Sequence, residues 1–159
     1  MKRLTFLAML ALPTMLMAQT VKSPNGDVEV KFALDGGKPT YEMSYKQKAV
    51  VKPSRLGLEL VKSKHASKGM DETDLMDGFT VTDTKTSSFD ETWTPVWGET
   101  STIRNNYNEL AVTLNQPATK RNIVIRFRVY DYGMGLRYEF PQQEELNYFI
   151  IKEEHTEFA

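Results

Sequence analysis

The chain has 159 residues, a formal net charge of −1 and no cysteine. The balanced charge gives no support for a nucleic-acid partner, which would require a basic patch. The lack of cysteine excludes disulfides, thiol nucleophiles and cysteine-bound zinc, so stability must come from packing alone, and this length suffices for one domain with its own core.

The first 18 residues have the features of a secretory signal peptide. Lys2 and Arg3 precede a nearly unbroken apolar run over Leu4–Leu12, and Ala18 supplies a small residue before the predicted cut. The run is shorter than the roughly 20 residues that span a bilayer. Removal of these 18 residues, two of them basic, leaves 141 residues and a net charge of −3. We therefore expect an exported protein, periplasmic or secreted, with no membrane segment after cleavage.

Apolar and polar residues alternate through most of the remaining chain. The clearest alternation runs from Ile123 to Val129, with Arg126 and Arg128 on the polar side, and a second follows over Leu136–Phe140. Weaker alternation covers 28–34, 41–45, 56–60, 79–81 and 110–114. A period of two places one face of a strand on a core and the other in water. Many short strands of this kind predict an all-β fold, an antiparallel β-sandwich or a barrel.

Turn-forming residues separate these segments. Pro24–Asp27 precedes the first predicted strand, Asp35–Gly37 follows it, and Asp131–Gly135 reads as the hairpin loop between the two clearest strands. This hairpin would bring Arg126 and Arg128 near Glu139 and allow a cross-strand ion pair.

Two segments are less regular. Ser63–Gly78 is polar and interrupted, which predicts a long loop. Gln142–His155 has apolar residues at helical spacing, but its Tyr148–Ile151 stretch is rich in residues that favour strands. We expect a strand there, with a helix as the alternative.

The chain shows no recognisable catalytic or metal site. His65 and His155 have no partners at metal-ligand spacing and are interpreted as surface residues. The acidic run Asp71–Gly78 lacks the alternating ligands and the closing glutamate of an EF-hand loop, so we interpret it as solvated. Neighbouring carboxylates such as Glu153 and Glu154 point to opposite faces of a strand and cannot act on one bond. The sequence therefore assigns no catalytic residue, no metal ligand and no cofactor.

One segment combines aromatic and polar residues. Both tryptophans of the chain lie within Thr92–Glu99, and Arg104–Leu110 follows closely. Exposed tryptophans can stack on sugar rings, whereas buried ones form cores and domain interfaces, and packing is the favoured interpretation. The candidate sugar-adjacent or inter-domain residues are Trp93, Trp97, Arg104, Asn105, Tyr107 and Glu109.

The same segments resemble glycoside hydrolase family 97, a family of exported α-glucosidases and α-galactosidases. The similar stretches run from about Ser23 to the end of the chain and keep their order. They are Lys52–Leu60, Phe89–Trp93, Pro95–Glu99, Arg104–Leu110, Ile123–Arg128, Gly135–Pro141 and Asn147–His155.

The resemblance implies an N-terminal β-supersandwich of the galactose-mutarotase type, followed in a full enzyme by a catalytic (β/α)₈ barrel and a small β domain. It places the catalytic glutamates and most calcium ligands on the barrel, and no position here matches them. We therefore expect residues 1–18 to be a signal peptide and residues 19–159 to be an N-terminal sandwich that stops before the barrel and is itself incomplete. Calcium would belong to the full-length parent enzyme.

Four hypotheses follow for function. The leading one is a non-catalytic domain that supports the catalytic barrel and the sugar site of an α-glycosidase, inactive by itself. The alternatives are a free-standing module that binds α-linked oligosaccharides, a structural β-sandwich that binds no sugar, and the product of an interrupted reading frame with no independent role.

Overall fold

The computed structural model describes residues 18–62 and 74–159, and within these ranges the chain forms ten strands and no helix. The predicted signal peptide up to residue 17 and the loop residues 63–73, including His65 and Asp71, lie outside the described residues. The strands are β1 Gln19–Lys22, β2 Val28–Asp35, β3 Lys38–Tyr45, β4 Lys48–Arg55, β5 Leu58–Leu60, β6 Thr80–Trp93, β7 Ile103–Gln116, β8 Arg121–Tyr130, β9 Gly133–Glu139 and β10 Ile151–Glu154.

The strands form two antiparallel four-stranded sheets and one small pair. The first sheet has the order β1-β2-β3-β4 and the second has the order β6-β7-β8-β9, while β5 pairs with β10. Every neighbouring pair in both sheets is antiparallel and consecutive in the chain. The prediction of an all-β sandwich is therefore confirmed. Across the described ranges, no helix offers the length and apolar character that a bilayer crossing would need.

The core lies between the two sheets, where β2 and β3 face β7 and β8. The rings of Phe32 and Tyr41 on the first sheet each lie 6.1 Å from the ring of Phe127 on the second. All four apolar residues that alternate along β8 are buried, and the residues between them are half-buried. Burying each such side chain contributes roughly 1.5–3 kcal/mol. The alternation in the sequence thus marks the strand that carries the centre of the core.

Two two-residue turns connect the strands of the first sheet. Gly36 and Gly37 both have positive φ, as a tight hairpin turn requires, and they join β2 to β3. The next turn, Lys46–Gln47, also has positive φ at both positions although neither residue is glycine. Backbone strain is therefore expected at this second turn.

Several boundaries differ from the predicted ones. The β8–β9 hairpin is confirmed, but Tyr130 pairs with Gly133, so its loop is only Asp131 and Tyr132. A strand after residue 142 is also confirmed, but it begins only at Ile151, which pairs with Leu60 at the end of β5. Strands β1 and β4 were not predicted, and β5 starts at Leu58 and excludes Leu56.

The end of the predicted long loop contributes to the core. Leu75 is fully buried and bridges to Leu58, with the two backbones hydrogen bonded at 3.0 and 2.9 Å. Gly57 lies beside this contact, where an added Cβ would fall 2.6 Å from the sulfur of Met76. The neighbouring Asp74 uses its carboxylate to accept a hydrogen bond from the Leu60 amide. This part of the acidic run is therefore structural.

Candidate functional site: the β6–β7 ribbon

The six candidate residues all lie at one end of the long β6–β7 hairpin, which we call the ribbon. It comprises residues 87–93 of β6, residues 103–109 of β7 and the tip loop 94–102 between them. The register places Trp93 opposite Ile103 and Phe89 opposite Tyr107. Nearly every residue of β6 is exposed, and the start of β7 is exposed up to Arg104. The ribbon therefore extends past the sandwich core.

The two faces of the ribbon differ in chemistry. Successive strand residues point to opposite faces. One face carries polar groups that bind one another: Arg104 donates from Nε and Nη2 to the two carboxylate oxygens of Asp90 at 2.8 and 2.6 Å, and Ser88 donates to Asn108 at 2.7 Å. The hydrogen bond from Arg104 lowers the pKa of Asp90.

The opposite side, which we call the aromatic face, carries Phe89, Trp93, Ile103, Tyr107 and Tyr130, with the polar pair Glu91 and Asn105 among them. The ring of Tyr107 lies 5.3 Å from the rings of both Phe89 and Tyr130. Tyr130 stacks in turn on Tyr132 at 5.5 Å. Aromatic pairs at such distances contribute about 0.5–1.5 kcal/mol beyond their burial. The stack fixes the rings on the side of the second sheet that faces away from the core.

The structure divides the six candidates into two groups. Tyr107 and Glu109 are buried, with 7% and 8% of their surface exposed, and belong to the base of the ribbon. Trp93 and Trp97 are 47% and 88% exposed and lie at its tip. Arg104 is exposed, and Asn105 is half-buried on β7, where it pairs with Glu91 of β6. The packing interpretation therefore fits Tyr107 but not the tryptophans within the described chain.

A charge network anchors the base of the ribbon. Arg126 and Arg128 both bind Glu109, the Arg128 bond measuring 2.8 Å, and Arg126 also binds Glu139 at 2.7 and 2.8 Å. The predicted pair of Arg126 with Glu139 is confirmed, but Arg128 pairs with Glu109 across β7 instead. Its guanidinium also lies 4.7 Å from the centre of the Tyr107 ring. Sequence alone could not show this link, because it depends on the β7–β8 register.

The network keeps the buried acid ionised. Burial raises the pKa of Glu109, but hydrogen bonds from Arg128 and Arg126 outweigh burial, so its pKa is lowered overall. Hydrogen bonding from Arg126 likewise lowers the pKa of Glu139. The carboxyl groups with a resolved pKa shift among the described residues, Glu29, Glu59, Asp90, Glu109 and Glu139, are all shifted downward. A glycosidase general acid needs a raised pKa, and none of these groups has one.

Another cluster lies near β10, where Glu59, Glu153 and His155 bring their ligand atoms within 4.8 Å of one another. Its histidine was predicted to lack a metal-binding partner, and its spacing in the sequence gives no sign of Glu59. Lys152 already donates to Glu59 at 2.6 Å, which supplies a positive charge to this group. Calcium prefers a cage of oxygen ligands, and a set with an imidazole and a bound ammonium does not fit it.

A groove of about 580 Å³ lies on the outer face of the first sheet. Its charges neutralise one another in a ladder, in which Glu29 pairs with Lys22 at 3.1 Å and with Lys31 at 3.3 Å, and Lys31 pairs with Glu42 at 3.3 Å. Exposed pairs of this kind contribute little to stability. The lining holds four lysines against three acidic residues and no aromatic ring, so the groove offers no aromatic platform comparable to the ribbon.

The fold and its comparisons define the class of this protein. The structure superposes on a glycoside hydrolase family 97 enzyme from Pseudoalteromonas sp. strain K8, a glutamate-to-glutamine variant in complex with panose, with a TM-score of 0.78 and 34% identity. A complex of a family 97 enzyme from the same strain with acarbose gives the same values. Both matches cover 89% of this chain and 20% of the enzyme.

A β-arabinopyranosidase also matches, with a TM-score of 0.73 over 89% of this chain and 21% of that one. Its 22% identity shows the shared fold alone. The described β domain is thus one that family 97 enzymes carry as about a fifth of their length. The model of the glycosyl-hydrolase 97 N-terminal family matches residues 21–159, and the chain belongs to this family.

Proposed function

We propose that this chain is the non-catalytic N-terminal domain of an exported α-glycosidase that acts on α-glucosides or α-galactosides. In that enzyme it supports the catalytic barrel and the sugar site, and by itself it does not hydrolyse sugars. The observation that carries the proposal is the match itself: nearly the whole described sandwich corresponds to one fifth of a family 97 enzyme.

Two further parts of the proposal rest on the sequence. Residues 1–18 form a signal peptide, so the mature chain begins at Gln19 and is periplasmic or secreted. Mass spectrometry of the exported chain tests this assignment, and an intact Met1 would contradict it. Calcium would belong to the full-length parent enzyme, and the mixed cluster among the described residues suits it poorly.

A chimera tests the domain role. Residues 19–159 of this chain would replace the matched region of the Pseudoalteromonas enzyme, and hydrolysis of panose and a p-nitrophenyl α-glucoside would be compared with that of the enzyme lacking the region. We expect the chimera to be active and both the deleted enzyme and the isolated chain to be inactive. An inactive, independently unfolding chimera would contradict the proposal, as would turnover by the isolated chain.

The alternative of a free-standing carbohydrate module is favoured by one observation, the exposure of both tryptophans at the tip of the ribbon. Because the chain has only these two tryptophans, its intrinsic fluorescence reports on the ribbon alone. Titration of the isolated chain with panose would distinguish the two roles. Saturable quenching that Trp97→Ala abolishes would support the module, whereas the domain role predicts no change.

A further inference from the structure

The aromatic face of the ribbon is an apolar surface that the described chain leaves open. Phe89, Trp93 and Ile103 are 39%, 47% and 36% exposed and lie along one side of paired strands. At the tip, Trp97 and Val96 are almost fully exposed. The polar pair Glu91 and Asn105 lies between Phe89 and Trp93 on this side, so the open apolar surface is concentrated at the tip. A patch of this kind on a soluble protein marks a contact with another molecule.

The fold does not need this surface for its own core. The core residues of β7, such as Leu110 and Val112, point to the opposite side of the second sheet. The other face of the ribbon is polar and its side chains bind one another, as in the Asp90–Arg104 pair. The ribbon therefore has one polar face with internal hydrogen bonds and one mainly aromatic face without a cover among the described residues.

The aromatic face is also held in one arrangement. Phe89 stacks on Tyr107, Tyr107 contacts Tyr130, and the guanidinium of Arg128 lies over the Tyr107 ring. Arg128 is itself fixed by Glu109. A surface whose side chains are ordered before binding loses less conformational entropy when a partner docks. Aromatic residues and arginine are also the residue types that dominate protein interfaces.

We propose that the aromatic face docks on the polypeptide of a family 97 enzyme that lies outside the matched fifth. This inference rests on the proposed function and names the surface that performs it. A polypeptide occupant is favoured over a sugar because both faces of β6 are exposed, so the ribbon has no walls that enclose a small ligand. The match leaves most of the enzyme's length available as the occupant.

The test uses the chimera described above and two paired sets of substitutions. Trp93→Ala with Trp97→Ala removes the exposed aromatic anchors and spares the stacked Phe89. The control, Tyr45→Ala with Val50→Ala, removes residues of the first sheet with comparable exposure, 42% and 54%. Each pair is made in the isolated chain and in the chimera, and thermal unfolding and the rate of thermal inactivation are measured.

The proposal predicts an effect that depends on context. In the isolated chain the tryptophan pair shifts the melting temperature by no more than about 3 °C, as for other surface changes. In the chimera the same pair accelerates thermal inactivation at least about tenfold, because interface tryptophans are common hot spots. The control pair leaves the inactivation rate of the chimera within about twofold.

Three results would overturn the inference. The chimera could tolerate the tryptophan pair as well as the isolated chain does, the isolated chain could lose as much stability as the chimera, or panose could quench the tryptophans of the isolated chain. An active chimera that tolerates the substitutions refutes the docking surface and leaves the domain role intact. An inactive chimera whose two parts unfold independently refutes the domain role itself.

Discussion

The sandwich core and the ribbon are built from the same antiparallel ladder but differ in what covers their apolar face. Along β8 the apolar side lies against the first sheet, so Phe127 and its neighbours are fully buried. Along the ribbon the apolar side faces away from the core, so Trp93 remains half exposed. Alternation in the sequence therefore predicts a strand with one apolar and one polar face, but it does not predict whether the same chain covers the apolar face.

The largest expected difference between the two regions is the cost of removing an aromatic ring. Phe127→Ala should destabilise the chain by about 3–5 kcal/mol, because it leaves a cavity between Phe32 and Tyr41. Trp97→Ala, which removes an 88% exposed ring, should change the free energy of unfolding by less than about 0.5 kcal/mol. Urea denaturation of the isolated chain measures both values, and equal costs would contradict the comparison.

The next effect concerns the charge network that joins the two regions. Glu109→Gln should cost about 1.5–3 kcal/mol at pH 7, because Arg128 loses its carboxylate partner and Arg126 loses one of two. The matched control is Asp90→Asn, which removes a solvent-screened, exposed pair and should cost much less. Chemical denaturation would measure the loss of unfolding free energy in each variant and show whether the buried pair contributes more than the exposed one.

The same network predicts the direction of the pH dependence. The pKa of Glu109 and that of Glu139 are lower in the folded chain than in the unfolded one. Their contribution is therefore complete above the unfolded carboxyl pKa and is lost as pH falls through the lowered folded values. Denaturation measured between neutral pH and acid should show falling stability, and Glu109→Gln should reduce that fall. An unchanged slope in the variant would argue against the network.

The smallest effect should appear in the first sheet, at the Lys46–Gln47 turn. Both residues have positive φ, so Lys46→Asn with Gln47→Gly should stabilise the chain by about 1 kcal/mol. Gly36 and Gly37 already provide this conformation in the preceding hairpin, so Gly37→Ala serves as the opposite control and should destabilise it. A melting temperature that rises for the first variant and falls for the second would confirm that the positive φ angles strain the Lys46–Gln47 turn.

Sequence reasoning succeeded where one face is buried. The alternation of Ile123, Ile125 and Phe127 predicted β8, and the turn residues Asp131 and Gly133 predicted its hairpin with β9. Burial on one side of a strand imposes a period of two on its sequence, so a period of two in the sequence predicts a strand. The fold class came from these regular segments.

Sequence reasoning failed for β6, a strand that is defined by its pairing with β7 and not by a buried apolar side. The inward side of β6 carries Thr84, Thr86 and Ser88, so no apolar period marks most of its length, yet it pairs with β7 to the tip. The division of the candidates into buried Tyr107 and exposed Trp97 was also beyond the sequence. It depends on how far the hairpin extends past the first sheet, which no local pattern records.

Hydrogen exchange of the tip loop, residues 94–102, tests whether the rest of the enzyme covers the ribbon. In the isolated chain the β8 amides should exchange slowly and the tip amides rapidly, because only β8 lies in the core. In the chimera the account predicts unchanged protection of β8 and marked slowing at the tip, since the ribbon gains its cover there. Equally rapid exchange of the tip in both proteins would contradict the account.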